Sequence, residues 1–466
     1  MCAAAPTRPT ETPFARDRAD VVVVGGGAAG LSAALEARAA GADDVIVLEA
    51  GGQAGGATRI ATGSLMAAGT RVQRELGLDD DAQRFFEYYM AIARFQVPAG
   101  IVRELCDRAS GALDWLAGLG VEFTSANLYR AGVEHVPRSH RASGGGQAIV
   151  DALTQECRRR VVRIETGHRA TRLLRDAVGA VGGVGGDGWA VRAVATVLAT
   201  GGFAANYDLV RKYVGETNGD WSPAPSTCAG DGIELGRSAG AAMAGAGHGD
   251  LLLTSATVRQ LEPGRPAWLV LVDGCGRRFA SETTPYPFLS ACVQKLGGAC
   301  WAVNDAAMLA DGCAPQAGSW TAANLRRGAA DGTVLVADRI DQLAERMGVP
   351  ARQLSATIAR YNADCVLGRD RSFEKGPDGL RPVVTPPFYA LRLSASIPAV
   401  TGYGVQIDRQ ARVLSAADLE PVPGLFAAGE VTGNVLGPQY LGYGIAITSA
   451  VVYGRIAGQE AARSAR

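Results

Sequence analysis

The 466 residues amount to about three domains of ordinary size, enough to bury a large core. Hydrophobic residues make up 47% and charged residues 20%, which excludes a disordered chain. Lysine plus arginine and aspartate plus glutamate both total 46, a formal charge of zero that excludes the basic footprint of a nucleic-acid binder.

Residues 1–19 are polar and proline-containing and are expected to form a disordered tail; they carry no apolar run of the kind a signal peptide needs. The β-branched run 21–24, bounded by glycines, predicts a buried strand. It feeds Gly25-Gly26-Gly27-Ala28-Ala29-Gly30, and an alanine-rich helix is expected over 31–40. A second strand over 45–48 ends at Glu49, completing one βαβ unit. Residues 82–118 read as mainly helical, with Trp115 and Leu116 on an apolar face. A glycine-rich break at 143–146 precedes a helix over 147–159, and strand signals cover 163–184 and 189–198 around Gly182-Gly183. The stretch 250–375 differs in texture, with a strand at 267–272 and helical patterns at 338–346 and 350–366. Residues 424–430 restore the strand-then-glycine style of the start, and a helix follows over 445–462.

The expected fold class is α/β: a discontinuous Rossmann-like domain over 20–249 and 379–466, with an inserted α+β catalytic domain over 250–378. Apolar runs such as 268–272 are far too short to cross a membrane. Nine cysteines without a CxxC pair, and four histidines without HExxH, argue against a zinc site or a disulfide framework and for a reducing compartment, the cytoplasm.

Gly25-x-Gly27-x-x-Gly30 follows a strand, opens a helix and has Glu49 nineteen residues past Gly30, the arrangement of a dinucleotide site. Gly25 makes the turn, Gly27 lets the backbone approach a pyrophosphate, and Gly30 lets the helix pack on the strand. The helix N-terminus supplies N–H donors to the pyrophosphate, and Glu49 would accept from a ribose. A glycine-rich βα turn without a ligand is the alternative. A second glycine loop, Ala50 to Thr58 followed by Gly63-Ser64, is superfluous for NAD but suits a long flavin threaded along the sheet.

With these loops, Ala199-Thr200-Gly201-Gly202-Phe203, Ala229-Gly230-Asp231-Gly232 and the segment 425–455, the sequence resembles the flavoproteins of the fumarate reductase/succinate dehydrogenase superfamily. The resemblance implies FAD. It assigns to the cofactor Gly25, Gly27, Ala29, Gly30, Glu49, Ala50, Gly56, Ala57, Thr58, Ser64, Ala170, Thr200, Gly201, Gly202, Asp231, Gly429, Glu430, Gly444, Ala446 and Ile447. Glu430 is expected near the ribityl chain, and the helix starting at Gly444 is expected to aim N–H groups at the flavin pyrimidine. No histidine occurs over 57–70, where some relatives attach the flavin, so binding is expected to be non-covalent.

Fumarate reductases hold two carboxylates with arginines and histidines. Here Tyr286 stands where those enzymes have an acid–base arginine, after Arg278-Phe279-Ala280-Ser281-Glu282-Thr283-Thr284. The segment 398–404 has no histidine, and Asn434-Val435-Leu436 no arginine, so buried dicarboxylates would go unpaired at a cost. Pro285-Tyr286 and Tyr440-Leu441-Gly442-Tyr443-Gly444 instead resemble the 3-ketosteroid dehydrogenases. That likeness makes Tyr286 the base, assisted by Tyr129, and gives the ketone oxygen to the Tyr440 hydroxyl and the Gly444 N–H. Two donors on a carbonyl acidify the neighbouring C–H; a base removes that proton, and hydride leaves the next carbon for flavin N5. A phenol has a pKa of about 10, so half-ionisation near neutrality takes a shift worth roughly 4 kcal/mol.

The function implied is FAD-dependent introduction of a C=C bond next to a ketone of a cyclic substrate, a 3-ketosteroid first among candidates, with an unspecified electron acceptor. The alternatives are an FAD-dependent reductase of an unsaturated acid or enone, and a flavin-binding protein without turnover. Tyr403 and Tyr443 either line the same cavity or simply pack. His135 and His140, flanking Arg138 and Arg141, are expected in a solvated loop, and Cys228, Cys275, Cys292 and Cys300 in the core.

Overall fold

The computed structural model describes residues 18–215, 217, 222–255, 265–309 and 320–466. The chain divides into two units, one made of residues up to Val214 with Ala224–Gly249 and Val400–Arg466, the other of Gly215–Pro223 and Asp250–Ala399. All but Arg18 and Ala19 of the expected disordered tail lies outside the described residues, and these two open the first strand.

The first unit is built on a sheet in the order Arg412–Leu414, Pro421–Ala427, Trp189–Leu198, Arg18–Val24, Val45–Glu49, Arg163–Thr166. The last five of these run parallel, with Val22 opposite Ile46, Val23 opposite Val197, Ile46 opposite Arg163 and Phe426 opposite Val197. Such strands are covered on both faces, which is why Val21, Val22, Val23, Ile46 and Val47 are fully buried and read as continuous apolar runs. The helices Ala28–Ala39, Gly145–Arg159 and Ile445–Ser464 cover one face. Glu36 at the helix contact is satisfied by Arg455 at 2.8 Å and Gln459 at 2.7 Å. From Arg18–Val24 the chain adds strands to one side and then returns to the other with Trp189–Leu198. The order therefore reverses at the first strand, and the carboxyl ends there form the place where open α/β sheets take ligands.

The second unit holds a five-stranded sheet in which Phe388–Thr401 pairs antiparallel with Ala299–Asp305 and Val334–Ala337. Its core includes Val270, Val303, Leu343, Leu354, Ile358 and Tyr361. Beside that core, Arg278 forms paired hydrogen bonds of 2.8–3.0 Å with Glu282 and Asp370, and Lys375 lies 3.1 Å from Glu282. Two cations and two anions cancel out of water, so the stretch 278–284 is an anchor for the turn leading to Tyr286. The expected return to the nucleotide domain at 379 compares with a division at Ala399/Val400. The reason is pairing: Phe388 to Ser394 ladder onto Asp305 to Ala299.

Candidate functional site

The expected phosphate loop sits at the carboxyl end of Arg18–Val24. Gly25 has φ +109, and a Cβ on it would lie 2.2 Å from the Ala199 carbonyl oxygen, so the first two strand ends of the crevice meet there. A Cβ on Gly30 would lie 1.9 Å from the Gly25 carbonyl, which fixes how closely Ala28–Ala39 approaches its strand. At Gly27 a Cβ would meet only Gly55 O and Thr58 Oγ1, at 3.8 and 3.9 Å. Thr58 Oγ1 accepts from the Ala28 N–H at 3.3 Å, so the second glycine loop folds back on the first.

Glu49 ends its strand buried, taking the Gly26 N–H on Oε2 at 2.9 Å and the Gly51 N–H on Oε1 at 2.7 Å. Each oxygen keeps acceptor capacity for ribose hydroxyls. At the end of Trp189–Leu198, the Thr200 hydroxyl is buried and has no hydrogen-bond partner among the described residues. Gly232 packs on it, since a Cβ there would come within 2.3 Å of Thr200 Oγ1. Asp231 itself is held by Arg169 at 2.7 Å to both carboxylate oxygens; burial raises its pKa against the pull of that guanidinium. At the end of Pro421–Ala427, Glu430 accepts at 2.7 Å from both the N–H and the hydroxyl of Thr401, and burial raises its pKa. Ala50, Gly201, Gly202 and Gly429 lie in the loops that follow these strands, Gly56 and Ala57 open the short helix Gly56–Ile60, and Ala170 follows Arg163–Thr166. An orphaned hydroxyl, a carboxylate with spare acceptors and a glycine cradle, all at one end of one parallel sheet, fit a dinucleotide.

The other end of the expected cofactor site is the N-terminus of Ile445–Ser464, which carries Ala446 and Ile447. It is pinned to the strand Ser64–Met66: Thr448 Oγ1 takes the Met66 N–H at 2.8 Å and lies 3.0 Å from the Met66 carbonyl, and a Cβ on Gly444 would fall 2.7 Å from Met66 N. Ser139, opposite both Met66 and Tyr129 in that small sheet, donates to the Tyr443 carbonyl at 2.7 Å. Tyr129 ends the strand Phe123–Tyr129, with its hydroxyl 2.8 Å from Ser64 Oγ; burial raises its pKa, so it stays a neutral phenol. Tyr129, Ser64, Tyr443 and Gly444 are thus gathered around one sheet corner, and Tyr440 is buried in the loop entering it. Tyr286, half-buried, is the first residue of the helix Tyr286–Lys295 and belongs to the second unit.

Several side chains escaped the sequence reading. Thr401, Ser139 and Thr448 position the site from remote points in the chain, and no local pattern marks them. His248 Nδ1 lies 2.9 Å from the Leu436 carbonyl, in the segment Asn434-Val435-Leu436 that has no arginine, and burial lowers its pKa, so it is a neutral imidazole. Two expectations are corrected. His140 is buried on the strand Ser139–Ala142, with Nε2 2.8 Å from Thr70 Oγ1 and Nδ1 2.8 Å from the Arg138 carbonyl. Arg138 is likewise buried, in a two-point pair with Asp80 at 2.7 Å, so of these four residues His135 and Arg141 alone face solvent. Cys275 is exposed and Cys292 half-buried, whereas Cys228 and Cys300 fill core space. Cys275 lies in the turn after Val270–Val272, where Asp273 Oδ1 takes its N–H at 2.9 Å.

Residues 20–447 match the family described as FAD binding domain. The chain is 32% identical to "Probable fumarate reductase Ifc3" of Shewanella frigidimarina, covering 96% of this chain and 75% of that protein. It is 28% identical to "Vinyl phenol reductase" of Lactiplantibacillus plantarum, covering 96% and 97%. Among solved structures, 3-ketosteroid-delta4-(5alpha)-dehydrogenase from Rhodococcus jostii RHA1, in complex with 4-androstene-3,17-dione, superposes with a TM-score of 0.80 at 27% identity, covering 98% of this chain and 100% of that one. No helix among the described residues is long and apolar enough to cross a membrane. Bound FAD supplies a two-electron acceptor or donor here, and the chain belongs to the FAD-binding-domain family, as an FAD-dependent oxidoreductase related to fumarate reductase.

Proposed function

We propose that this protein is a dehydrogenase that introduces a C=C bond next to the ketone of a cyclic substrate of the 3-ketosteroid class. The observation that carries the reading is the corner where the Gly444 helix start, the Ser64–Tyr129 pair and the Tyr440–Tyr443 loop come together. Residues 432–448 contain no lysine, arginine or histidine, so the loop and helix start at this corner offer neutral donors, with Arg141 opposite Ser64 as the nearby cation of the small sheet. Neutral donors suit a carbonyl; a dicarboxylate would lack its counter-charges, and His248, held neutral by burial, does not replace them. The similarity to a ketosteroid dehydrogenase along the whole chain supports the same class.

In this reading the Tyr440 hydroxyl and the Gly444 N–H hold the ketone oxygen, which acidifies the adjacent C–H. Tyr286 takes that proton. The remaining cofactor assignments, from Gly25 to Ile447, hold FAD without a covalent bond. The experiment is anaerobic mixing of the FAD-loaded protein with a panel of 3-ketosteroids while the visible flavin band is followed. Wild type is expected to bleach, Tyr286→Phe to keep its FAD and lose bleaching, and Tyr440→Phe to slow it by about 10²–10³. Retention of most of the rate in Tyr286→Phe would refute the base assignment.

The reverse direction, reduction of an enone, is the second reading, favoured by the relatives that are named reductases. The same donors would polarise an enone carbonyl, and Tyr286 would then return the proton. Chemically reduced protein decides: reoxidation by 4-androstene-3,17-dione but not by fumarate supports the ketone site, and reoxidation by fumarate alone overturns it.

A further inference from the structure

The loop that carries Tyr440 and Gly444 rests on a turn that neither the sequence reading nor the family assignment involves. Gly132 and Leu441 approach so closely that a Cβ on Gly132 would lie 2.4 Å from the Leu441 carbonyl oxygen. One residue on, a Cβ on Gly442 would lie 2.6 Å from the Ala131 carbonyl. Two backbone segments are therefore locked face to face, and the second is the one between the two proposed ketone donors.

What holds the 131–134 turn is a single carboxylate. Glu134 is 2% exposed; its Oε1 takes the Ala131 N–H at 2.6 Å and its Oε2 takes the Gly132 N–H at 2.8 Å. The Tyr88 hydroxyl donates to the same Oε2 at 3.2 Å and accepts from the Val133 N–H at 3.3 Å. Three donors converge on one buried anion, and bonds of this charge-assisted kind are the strong ones. Tyr88 is in turn backed by Arg138, whose guanidinium carbon lies 5.3 Å from the ring centre and whose charge is spent on Asp80. A buried acid with these partners and no solvent role is more than a loop needs to exist, but it is what a loop needs to keep a fixed backbone.

We propose that Glu134 is a positioning residue for the reaction, setting the backbone of Leu441 and Gly442 and through it the Tyr440 hydroxyl and the Gly444 N–H. The inference rests on the ketone reading for its catalytic consequence, and on the FAD-facing helix start for its effect on the flavin. Replacing the carboxylate with the amide of Gln puts an NH2 group against one of the two backbone N–H donors, so the turn must open at one of them. A displacement of about 1 Å costs about 10²-fold in rate when it moves a group out of its reacting position. The same displacement would shift the N–H groups of the helix Ile445–Ser464 that follows Gly444, which would stabilise negative charge on a reduced flavin.

The test is Glu134→Gln and, separately, Tyr88→Phe, each purified with FAD. Two quantities are read: the rate of anaerobic flavin reduction by a 3-ketosteroid, and the midpoint potential of the bound flavin. Glu134→Gln is expected to retain FAD, to be reduced about 10- to 10²-fold more slowly, and to show a more negative potential, with Tyr88→Phe moving both the same way by less. An unchanged rate and potential in FAD-loaded Glu134→Gln overturns the proposal. Should that variant fail to fold, an unchanged potential in Tyr88→Phe overturns it instead. Wild type that no ketone or enone converts would sink the ketone reading alone; the potential of the two variants would still decide whether Glu134 sets the helix start.

Discussion

Asp250 makes the stability of the folded chain depend on pH. It lies on the strand Gly249–Ser255 of the second unit and is 4% exposed. Its Oδ2 has no hydrogen-bond partner among the described residues, and burial pushes its pKa from 3.8 up to about 7 against the opposing pull of the Ser290 hydroxyl. The folded protein therefore holds a proton that the unfolded chain gives up near pH 4. Between those two values stability falls as pH rises, because unfolding releases the proton; above pH 7 both states are ionised and the curve is flat.

Each unit of difference is worth about 1.4 kcal/mol, so the two units between pH 5 and 7 cost the folded state roughly 3 kcal/mol. Asp250→Asn removes the titration while keeping the shape. The assay is urea unfolding of wild type and variant, both with saturating FAD, at pH 5 and pH 8. The variant's advantage over wild type is expected to grow by about 3 kcal/mol from the lower to the higher pH. Parallel pH profiles for the two proteins would mean that the carboxyl is ionised in the fold, and would refute the reasoning.

Gly30→Ala forces a Cβ into the space 1.9 Å from the Gly25 carbonyl, so the glycine turn proposed to hold the pyrophosphate must move; the protein is expected to purify without its yellow colour, and full FAD occupancy would contradict the packing argument. Arg138→Leu leaves Asp80 buried without its guanidinium, and a loss of about 3–5 kcal/mol is expected in the same urea assay. A loss below 1 kcal/mol would show that water reaches Asp80.

The glycine turn after the first strand was legible in the sequence because its constraints are local. A positive φ at Gly25, a close approach at Gly30 and an acid at the next strand end each demand a residue type within a short stretch. The parallel strands were legible for a related reason, since burial on both faces leaves unbroken apolar runs. His140 was misjudged because its environment comes from elsewhere: polar neighbours at 138 and 141 suggest a wet loop, yet Thr70 and the Asp80–Arg138 pair seal it. The limit of the inserted unit was hidden for the same reason, as the residues before 400 take their partners from Ala299–Asp305, and nothing in 379–399 itself announces that pairing.

Glu134 draws its environment from distant parts of the chain. Its partners at 88, 131 and 132 bring it against 441 and 442, a separation no periodicity can bridge. The trace it leaves in the sequence is indirect: two glycines, of which Gly442 is also held at φ +136, while Gly132 has no positive φ to account for it. Glycine without a local reason implies that another backbone comes close, and the candidate backbones are those carrying the chemistry. Substitution of Gly442 by Ala should therefore reproduce the flavin-potential change of Glu134→Gln, since a Cβ 2.6 Å from the Ala131 carbonyl pries apart the same two segments from the other side. A wild-type potential in that variant, measured by dye-coupled reduction, would separate the two segments and leave Glu134 as a support for its own turn alone.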